Sequence, residues 1–243
     1  MRRPLFFVGL DDVHLAGGFS QCMLSINRLL KRKSDFTVND WLLDSGAFSR
    51  LTTGKGHLPV GEYATQIKRW SSCGRLLAAV TQDYMCEDFV LTQTGMTIED
   101  HQRFTIERYD ALASYNLSTY IMPVLQGYAP KNYADHLMAY GDRLVIGAWV
   151  GVGSVCKRNA NPISVLAILA AIKQKRPDLR LHGFGIKLTA LKNGWINDLL
   201  YSCDSLAWSF NARKNGRNQH DPQEAHQYVA KVASLPIQME MRL

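Results

Sequence analysis

Short apolar runs alternate with longer amphipathic segments along nearly the whole chain, and this alternation limits the fold more than any other feature of the sequence. The runs are Leu5–Leu10, Trp41–Leu43, Leu76–Val80, Tyr120–Leu125, Leu144–Val150, Leu179–Ile186 and Ser205–Ser209. Between them, Phe19–Arg32, Val60–Ser72, Ile98–Tyr115, Tyr133–Tyr140, Ile163–Lys175 and Leu188–Leu200 carry helical spacing, and Pro222–Ser234 adds a last amphipathic helix. Strands apolar on both faces and separated by helices predict a parallel sheet covered by helices. A closed barrel and an open doubly wound sheet both satisfy this pattern. Seven strand-helix units in 243 residues fit an irregular (β/α)8 TIM-type barrel with one weak strand slightly better. No linker, low-complexity run or shift in composition divides the chain, so residues 1–243 read as a single domain.

Local chemistry supports the helices. Asn161-Pro162 places a capping side chain before a proline at the first helical position, and Thr97-x-x-Asp100 has the form of a capping box. The longest apolar stretch, Ile163 to Ile172, is roughly half of the ~20 residues that a membrane-spanning helix needs, so no membrane partner is expected. The basic and then apolar start is stopped by Gly9 and Asp11-Asp12 before a secretory core forms, and reads as a first strand. Five cysteines, at 22, 73, 86, 156 and 203, include no C-x-x-C pair. They suggest neither a disulfide framework nor a closed zinc site, and a reducing cytoplasm is the expected compartment. With 47% hydrophobic residues the chain can build one substantial core, and its formal charge of +7 favours an anionic partner.

In a parallel barrel the chemistry gathers where strands end. Here the runs end in Asp44-Ser45-Gly46, Thr81-Gln82-Asp83, Gln126-Gly127, Gly151-Val152-Gly153-Ser154, His182 through Lys187, and the stretch around Cys203-Asp204 and Ser209-Phe210-Asn211. One aspartate at a strand end is ordinarily a helix cap or an Asx-turn. Three of them at one rim, with a glutamine and two glycine-rich loops, make a polar pocket. Carboxylates accept from ring N–H and amino groups, Gln126 and backbone N–H groups donate to a carbonyl, and Gly151 and Gly153 let the backbone approach a ligand. A flat heterocycle such as guanine carries that mixture of donors and acceptors.

The stretches "LLDSGAFS", "MPVLQGY", "WVGVGS" and "SCDSLAWS", in this order and on these strand ends, resemble the tRNA-guanine transglycosylase superfamily. "WVGVGSVCKRN" and "LHGFGIK", together with the short chain, resemble more closely its DpdA branch, the 7-deazaguanine DNA transglycosylases of bacterial modification islands and phages. The resemblance spans roughly residues 40–215. It implies an irregular (β/α)8 barrel that replaces guanine in DNA by a 7-deazaguanine base, 7-cyano-7-deazaguanine or a relative, with no metal and no cofactor. DNA and the free base are the implied partners, with other DNA-modification proteins as further candidates, in the cytoplasm of a bacterium or a phage-infected host.

The resemblance assigns roles residue by residue. Asp204 is the expected nucleophile at C1′, leaving a covalent glycosyl-enzyme, as in a retaining glycosidase. Asp44 is the expected second carboxylate, binding the base and handling its proton, with Ser45 and Gly46 holding the turn beside the ring. Asp83 is expected to accept from the base's N–H groups, and Gln126 with Gly127 and the Gly151–Gly153 loop to read its carbonyl. His182 is expected to line the site or to serve as a hydrogen-bonded core residue. Of the aromatic residues near the rim, Phe48, Tyr84, Tyr128, Trp149 and Trp208, Phe48 and Tyr128 are the better candidates for stacking on a flipped base. Lys157, Arg158, Lys187, Arg213, Lys214 and Arg217 are expected along the nucleic-acid backbone. Cys156 and Cys203 read as packing residues rather than nucleophiles.

The zinc element C-x-C-x-x-C of the tRNA enzymes has no counterpart in this sequence, which tilts the reading toward DNA. The alternatives are a tRNA base-exchange enzyme, a non-catalytic nucleic-acid-binding subunit, and a barrel enzyme acting on a phosphorylated small molecule. An idle subunit has no need of both Asp44 and Asp204.

Overall fold

The structure is a computed structural model that describes residues 3–158 and 161–236. The first half runs β1 (Leu5–Leu10), β2 (Gln21–Ser25), β3 (Asp40–Asp44), α1 (Ala47–Thr52), α2 (Val60–Trp70), β4 (Arg75–Val80), α3 (Asp88–Thr94) and α4 (Ile98–Ala113). The second half runs β5 (Ile121–Met122), β6 (Val124–Leu125), α5 (Pro130–Tyr140), β7 (Trp149–Val152), α6 (Pro162–Lys175), β8 (Arg180–Gly183), α7 (Leu188–Leu191), α8 (Gly194–Leu199), β9 (Leu200–Ser205), α9 (Ala207–Lys214) and α10 (Pro222–Ala233). Every strand pairing is parallel, in the order β5-β4-β3-β2-β1-β9-β8-β7-β6.

The two ends of that order are neighbours in sequence, because β5 and β6 are halves of one extended run broken at Pro123. The Tyr120 and Met122 carbonyls accept from Ala79 and Thr81 on one side, while those of Pro123 and Leu125 accept from Gly151 and Gly153 on the other. Proline has no N–H to donate, so the ladder is interrupted there. The nine segments thus trace a nearly closed, irregular α/β barrel of TIM type.

Side chains fill the barrel in layers. Phe7, Met23, Leu42, Val80, Met122, Val124 and Trp149, one or two from each strand of the first seven segments, pack inside it. Alternate residues point outward: Val8, Cys22, Leu24, Trp41 and Leu43 meet α2 and α10 on one flank. Val150, Val152, Leu181 and Cys203 meet α5 and α6 on the other. The Phe6 and Tyr228 rings, with centroids 6.0 Å apart, seat α10 against β1.

The expected caps form. Thr97 and Asp100 exchange bonds of 3.1 and 3.2 Å at the start of α4, and the Asn161 side chain accepts from Ser164 N–H at 3.4 Å ahead of α6. Four segments differ from the sequence reading, among them Leu144–Val150, of which only Trp149 and Val150 are strand. Phe19–Arg32, expected as a helix, holds β2 and a single 3-10 turn at Ile26–Arg28. Phe19, Met23, Ile26 and Leu29 have helical spacing, but all are buried, and Cys22 and Leu24 face the opposite layer from Met23. Insertion between β1 and β3 overrides the local pattern. This is the weak strand that the barrel required. Leu188–Leu200 divides into α7 and α8 where Asn193 caps the second helix at Trp195 N–H, 3.0 Å. The final strand is Leu200–Ser205 rather than Ser205–Ser209; its polar Ser202 and Asp204 disguise it, and Trp208 belongs to α9.

Trp208 is buried and donates its indole N–H to the Gly9 carbonyl at 2.8 Å, tying the segment after β9 to β1. Trp208→Ala is expected to lower the unfolding free energy by about 3–5 kcal/mol, measurable by denaturant titration.

Candidate active site

At the carboxyl ends of the strands lies a cavity of about 360 Å³, within the roughly 300–1,000 Å³ usual for small-molecule sites. Asp44, Phe48, Asp83, Gln126, Gly153 and Asp204 all reach its wall.

Asp44 ends β3, and the chain then turns through Gly46 at φ 71°. Gly46 N–H donates to Asp44 Oδ2 at 3.0 Å. A Cβ at Gly46 would stand 2.3 Å from the Asn27 amide, so only glycine fits the turn. Burial pushes the Asp44 carboxyl up to about 6, against hydrogen bonds from Gly46 and Ser25 that lower it, and the Asp204 charge raises it further.

Asp83 follows β4 and is pushed up to about 7, first by burial and then by the Asp44 charge; the Gln126 amide opposes the shift. Gln126 Nε2 donates to Asp83 Oδ2, and its Oε1 lies 2.7 Å from Ser154 Oγ. Ser154 Oγ also contacts Glu87 Oε2 at 2.8 Å and accepts from Cys86 N–H at 2.9 Å. Four side chains, Asp83, Gln126, Ser154 and Glu87, therefore form one buried polar wall. Gly153 makes room for it: a Cβ there would stand 2.1 Å from Gln126 Nε2.

Asp204, at the end of β9, is fixed by one oxygen. Its Oδ1 accepts from Gly185 N–H at 3.0 Å and lies 3.3 Å from His182 Nε2, while among the described residues Oδ2 accepts no hydrogen bond. The carboxylate is thus anchored through one oxygen, and the residue lines the cavity.

Several residues expected at the base lie elsewhere. Ser45 is buried, its hydroxyl without a hydrogen-bond partner, and Ser45 and Gly46 form the turn beneath Asp44 rather than the wall. Gly127 packs against α5, where a Cβ would stand 2.8 Å from Asn132 Cβ. The Phe184 ring occupies the space beside Gly151, 2.4 Å from where a Cβ would be, and Phe184 takes the place on the wall. His182 is buried behind Asp204, off the wall. Tyr128 is half exposed, with the Arg158 guanidinium 4.2 Å from its ring centroid. Trp149 and Trp208 are core residues, and Tyr84 packs on His57 with centroids 4.7 Å apart. Phe48, 45% exposed, stands at the mouth edge-on to Phe89. Cys203 is buried, whereas Cys156 reaches the wall.

The wall also includes Ser25, Met85, Glu87, Ser154, Gly185 and Leu206, which the sequence reading did not select. Ser154 closes the strand-end motif "WVGVGS", so its polarity was visible, and its signal is its place after two glycines, in a left-handed conformation at φ 53°; Glu87 lies four residues past Asp83, outside the strand-end motifs.

The cations divide. Arg217 is taken up by Glu224, Lys187 and Arg213 approach the Phe210 ring at 5.9 and 5.4 Å, and Lys214 is exposed on α9. The Lys157 side chain lies outside the described residues. Beside α1, whose Ala47 and Phe48 line the cavity, a surface cleft of about 440 Å³ is lined by Arg28, Lys31, Arg50 and Lys55 and, among the described residues, by no carboxylate. No helix among the described residues is long and apolar enough to cross a membrane.

Because Asp44 and Asp83 hold protons more tightly folded than at their ordinary 3.8, the native state binds more protons than the unfolded chain between about pH 4 and 7. Stability from these groups therefore falls as pH rises through that window. Asp83→Asn is expected to raise the thermal midpoint above wild type at pH 8 and to match it near pH 4, in thermal scans at both values.

The sequence matches the family described as DpdA, DeoxyPurine in DNA protein A, over residues 8–233. No curated protein matches the chain. The matched region runs from β1 through α10 and contains every residue of the cavity wall. A parallel barrel with carboxylates on three strand ends, covered from first strand to last helix by that match, makes this chain a member of the DpdA family within the tRNA-guanine transglycosylase superfamily.

Proposed function

We propose that this cavity exchanges guanine in DNA for a 7-deazaguanine base, 7-cyano-7-deazaguanine or a close relative, through a covalent Asp204 deoxyribosyl-enzyme. The observation that carries the reading is the arrangement of Asp204: one oxygen is held by Gly185 N–H and stands beside His182, and the residue lines a cavity that Asp44 and Asp83 also line. Family membership supports a DNA transglycosylase role at the level of the family.

In the first step an Asp204 Oδ2 electron pair forms a bond to C1′ and the C1′–N9 bond breaks, its pair leaving with guanine, which takes up one proton. In the second, the incoming base loses its N9 proton, its N9 pair attacks C1′, and the C1′–oxygen bond returns its pair to Asp204. Asp44 and Asp83, raised to about 6 and 7, suit both proton transfers near neutrality. Asp83 accepts from the base's amino and ring N–H groups, and the second N–H of the Gln126 amide reads its carbonyl edge. Phe48 covers the open side of the flipped base. The cleft of Arg28, Lys31, Arg50 and Lys55 receives the phosphate backbone on the α1 side of the mouth.

Mass spectrometry of nucleosides from DNA and tRNA treated with the protein and free 7-cyano-7-deazaguanine tests the reaction. The modified deoxynucleoside is expected with wild type and absent with Asp204→Ala; modification confined to RNA would move the substrate to tRNA, and DNA binding without modification or a covalent band would mark a non-catalytic subunit. Asp44→Asn is expected to slow exchange by about 10²- to 10⁴-fold. Lys31→Gln with Lys55→Gln is expected to flatten the plot of log affinity against log salt by about one unit for each phosphate no longer neutralised, read by fluorescence anisotropy with labelled DNA.

A further inference from the structure

Behind the nucleophile, three hydrogen bonds run in series across neighbouring strands. Trp149 Nε1 lies 2.8 Å from Ser202 Oγ, Ser202 Oγ lies 2.9 Å from His182 Nδ1, and His182 Nε2 lies 3.3 Å from Asp204 Oδ1. Trp149, Ser202 and His182 are all buried, and His182 and Ser202 are paired residues of β8 and β9. The indole is held by the Phe7, Tyr120 and Tyr201 rings, so its N–H cannot turn away.

The direction of the series follows from valence. An indole N–H only donates, so Ser202 Oγ accepts from Trp149. The single hydroxyl proton of Ser202 then goes to His182 Nδ1, its remaining neighbour. A ring that accepts at Nδ1 carries its proton on Nε2, aimed at Asp204. The other tautomer would bring two donors onto Ser202, leave the hydroxyl proton without an acceptor among the described residues, and set a nitrogen lone pair against a carboxylate oxygen. We propose that His182 is a positioning residue, locked by Trp149 and Ser202 as the Nε2–H tautomer, that speeds breakdown of the Asp204 ester.

The choice of step rests on the covalent reaction proposed above and on where charge moves. The attacking form of Asp204 is an anion, and in the oxocarbenium-like transition state it remains largely one, so a donor at Oδ1 changes little during ester formation. The ester is neutral. As its bond to C1′ breaks, negative charge returns to both oxygens, and donors already aimed at Oδ1 stabilise it without rearrangement. Gly185 N–H supplies one such donor from the backbone and His182 the second.

Two substitutions separate this role from packing. His182→Met fills similar space without a donor, whereas His182→Gln places an amide N–H where Nε2 stands. The intact chain is incubated with a guanine-containing oligonucleotide and 7-cyano-7-deazaguanine, and the exchange rate is followed beside the fraction of chain carrying the oligonucleotide on a denaturing gel. Expected for His182→Met is exchange slowed about tenfold or more with a rise in the covalent fraction, and for His182→Gln a return of both toward wild type. Exchange and covalent fraction falling together, with no rescue by glutamine, would overturn the proposal. Nitrogen NMR of ¹⁵N-histidine-labelled wild type supplies a readout independent of the variants' folding: an Nε2–H ring at His182 agrees with the lock, and an Nδ1–H ring contradicts it. If wild type forms neither adduct nor modified DNA, the exchange reaction itself fails and this inference with it; if wild type forms both and His182→Met matches it, only this inference fails.

Discussion

The pairing of the first strand with the last holds the molecule together as a barrel. Leu5 through Val8 lie in register with Ser202 through Ser205, so residues nearly two hundred positions apart share one ladder. That ladder sets Asp204 beside Phe7 of β1, two strands away from β3, which ends in Asp44. Without it the sheet would be open, with Asp204 on an edge strand and no longer joined through β1 and β2 to Asp44. Because every strand runs the same way, each polar strand end arrives at one rim, and the apolar layer of Phe7, Met23, Leu42 and Trp149 closes the space beneath.

The site is assembled against the usual preferences of a protein interior. Asp44, Asp83 and Asp204 share one cavity; burial first, then the Asp204 charge, raises the cost of ionising Asp44, and burial and the Asp44 charge do the same for Asp83. Donors soften that conflict unequally. Asp204 has its rear oxygen occupied by Gly185 and His182, Asp44 has Gly46, and Asp83 leans on the Gln126 amide. Asp44 and Asp83, of one chemical type, thereby hold their protons to different degrees, about 6 and about 7.

Much of the architecture was legible in the sequence because apolar runs and caps are local signals: the Thr97 box and the Asn161-Pro162 start formed as read, and the strand ends carried Asp44, Asp83, Gln126 and Asp204 to one cavity. What escaped depended on neighbours distant in sequence. β2 has the spacing of a helix and becomes a strand because β1 and β3 leave it an edge on each side. Gly151 and Gly153 signalled a close approach, but the approaching groups are Phe184 and the Gln126 side chain rather than a ligand. His182 was noticed as polar within an apolar strand; that it stands behind a carboxylate follows only from the β8–β9 register. The basic cleft joins residues of a 3-10 turn with residues around α1, and no local pattern announces it.

The close approach at Gly153 also bears on how this protein can change over evolutionary time. With the Gln126 amide resting on the bare Cα, any side chain at 153 would unseat Gln126 and, through it, both Asp83 and Ser154. Mutational drift at that position is closed off even though it sits in a loop, where variation is ordinarily tolerated. At the mouth, by contrast, the side chains Phe48, Phe89 and Leu206 are exposed. The polar centre of the cavity thus depends on one missing methyl group, which no residue at its exposed entrance shares.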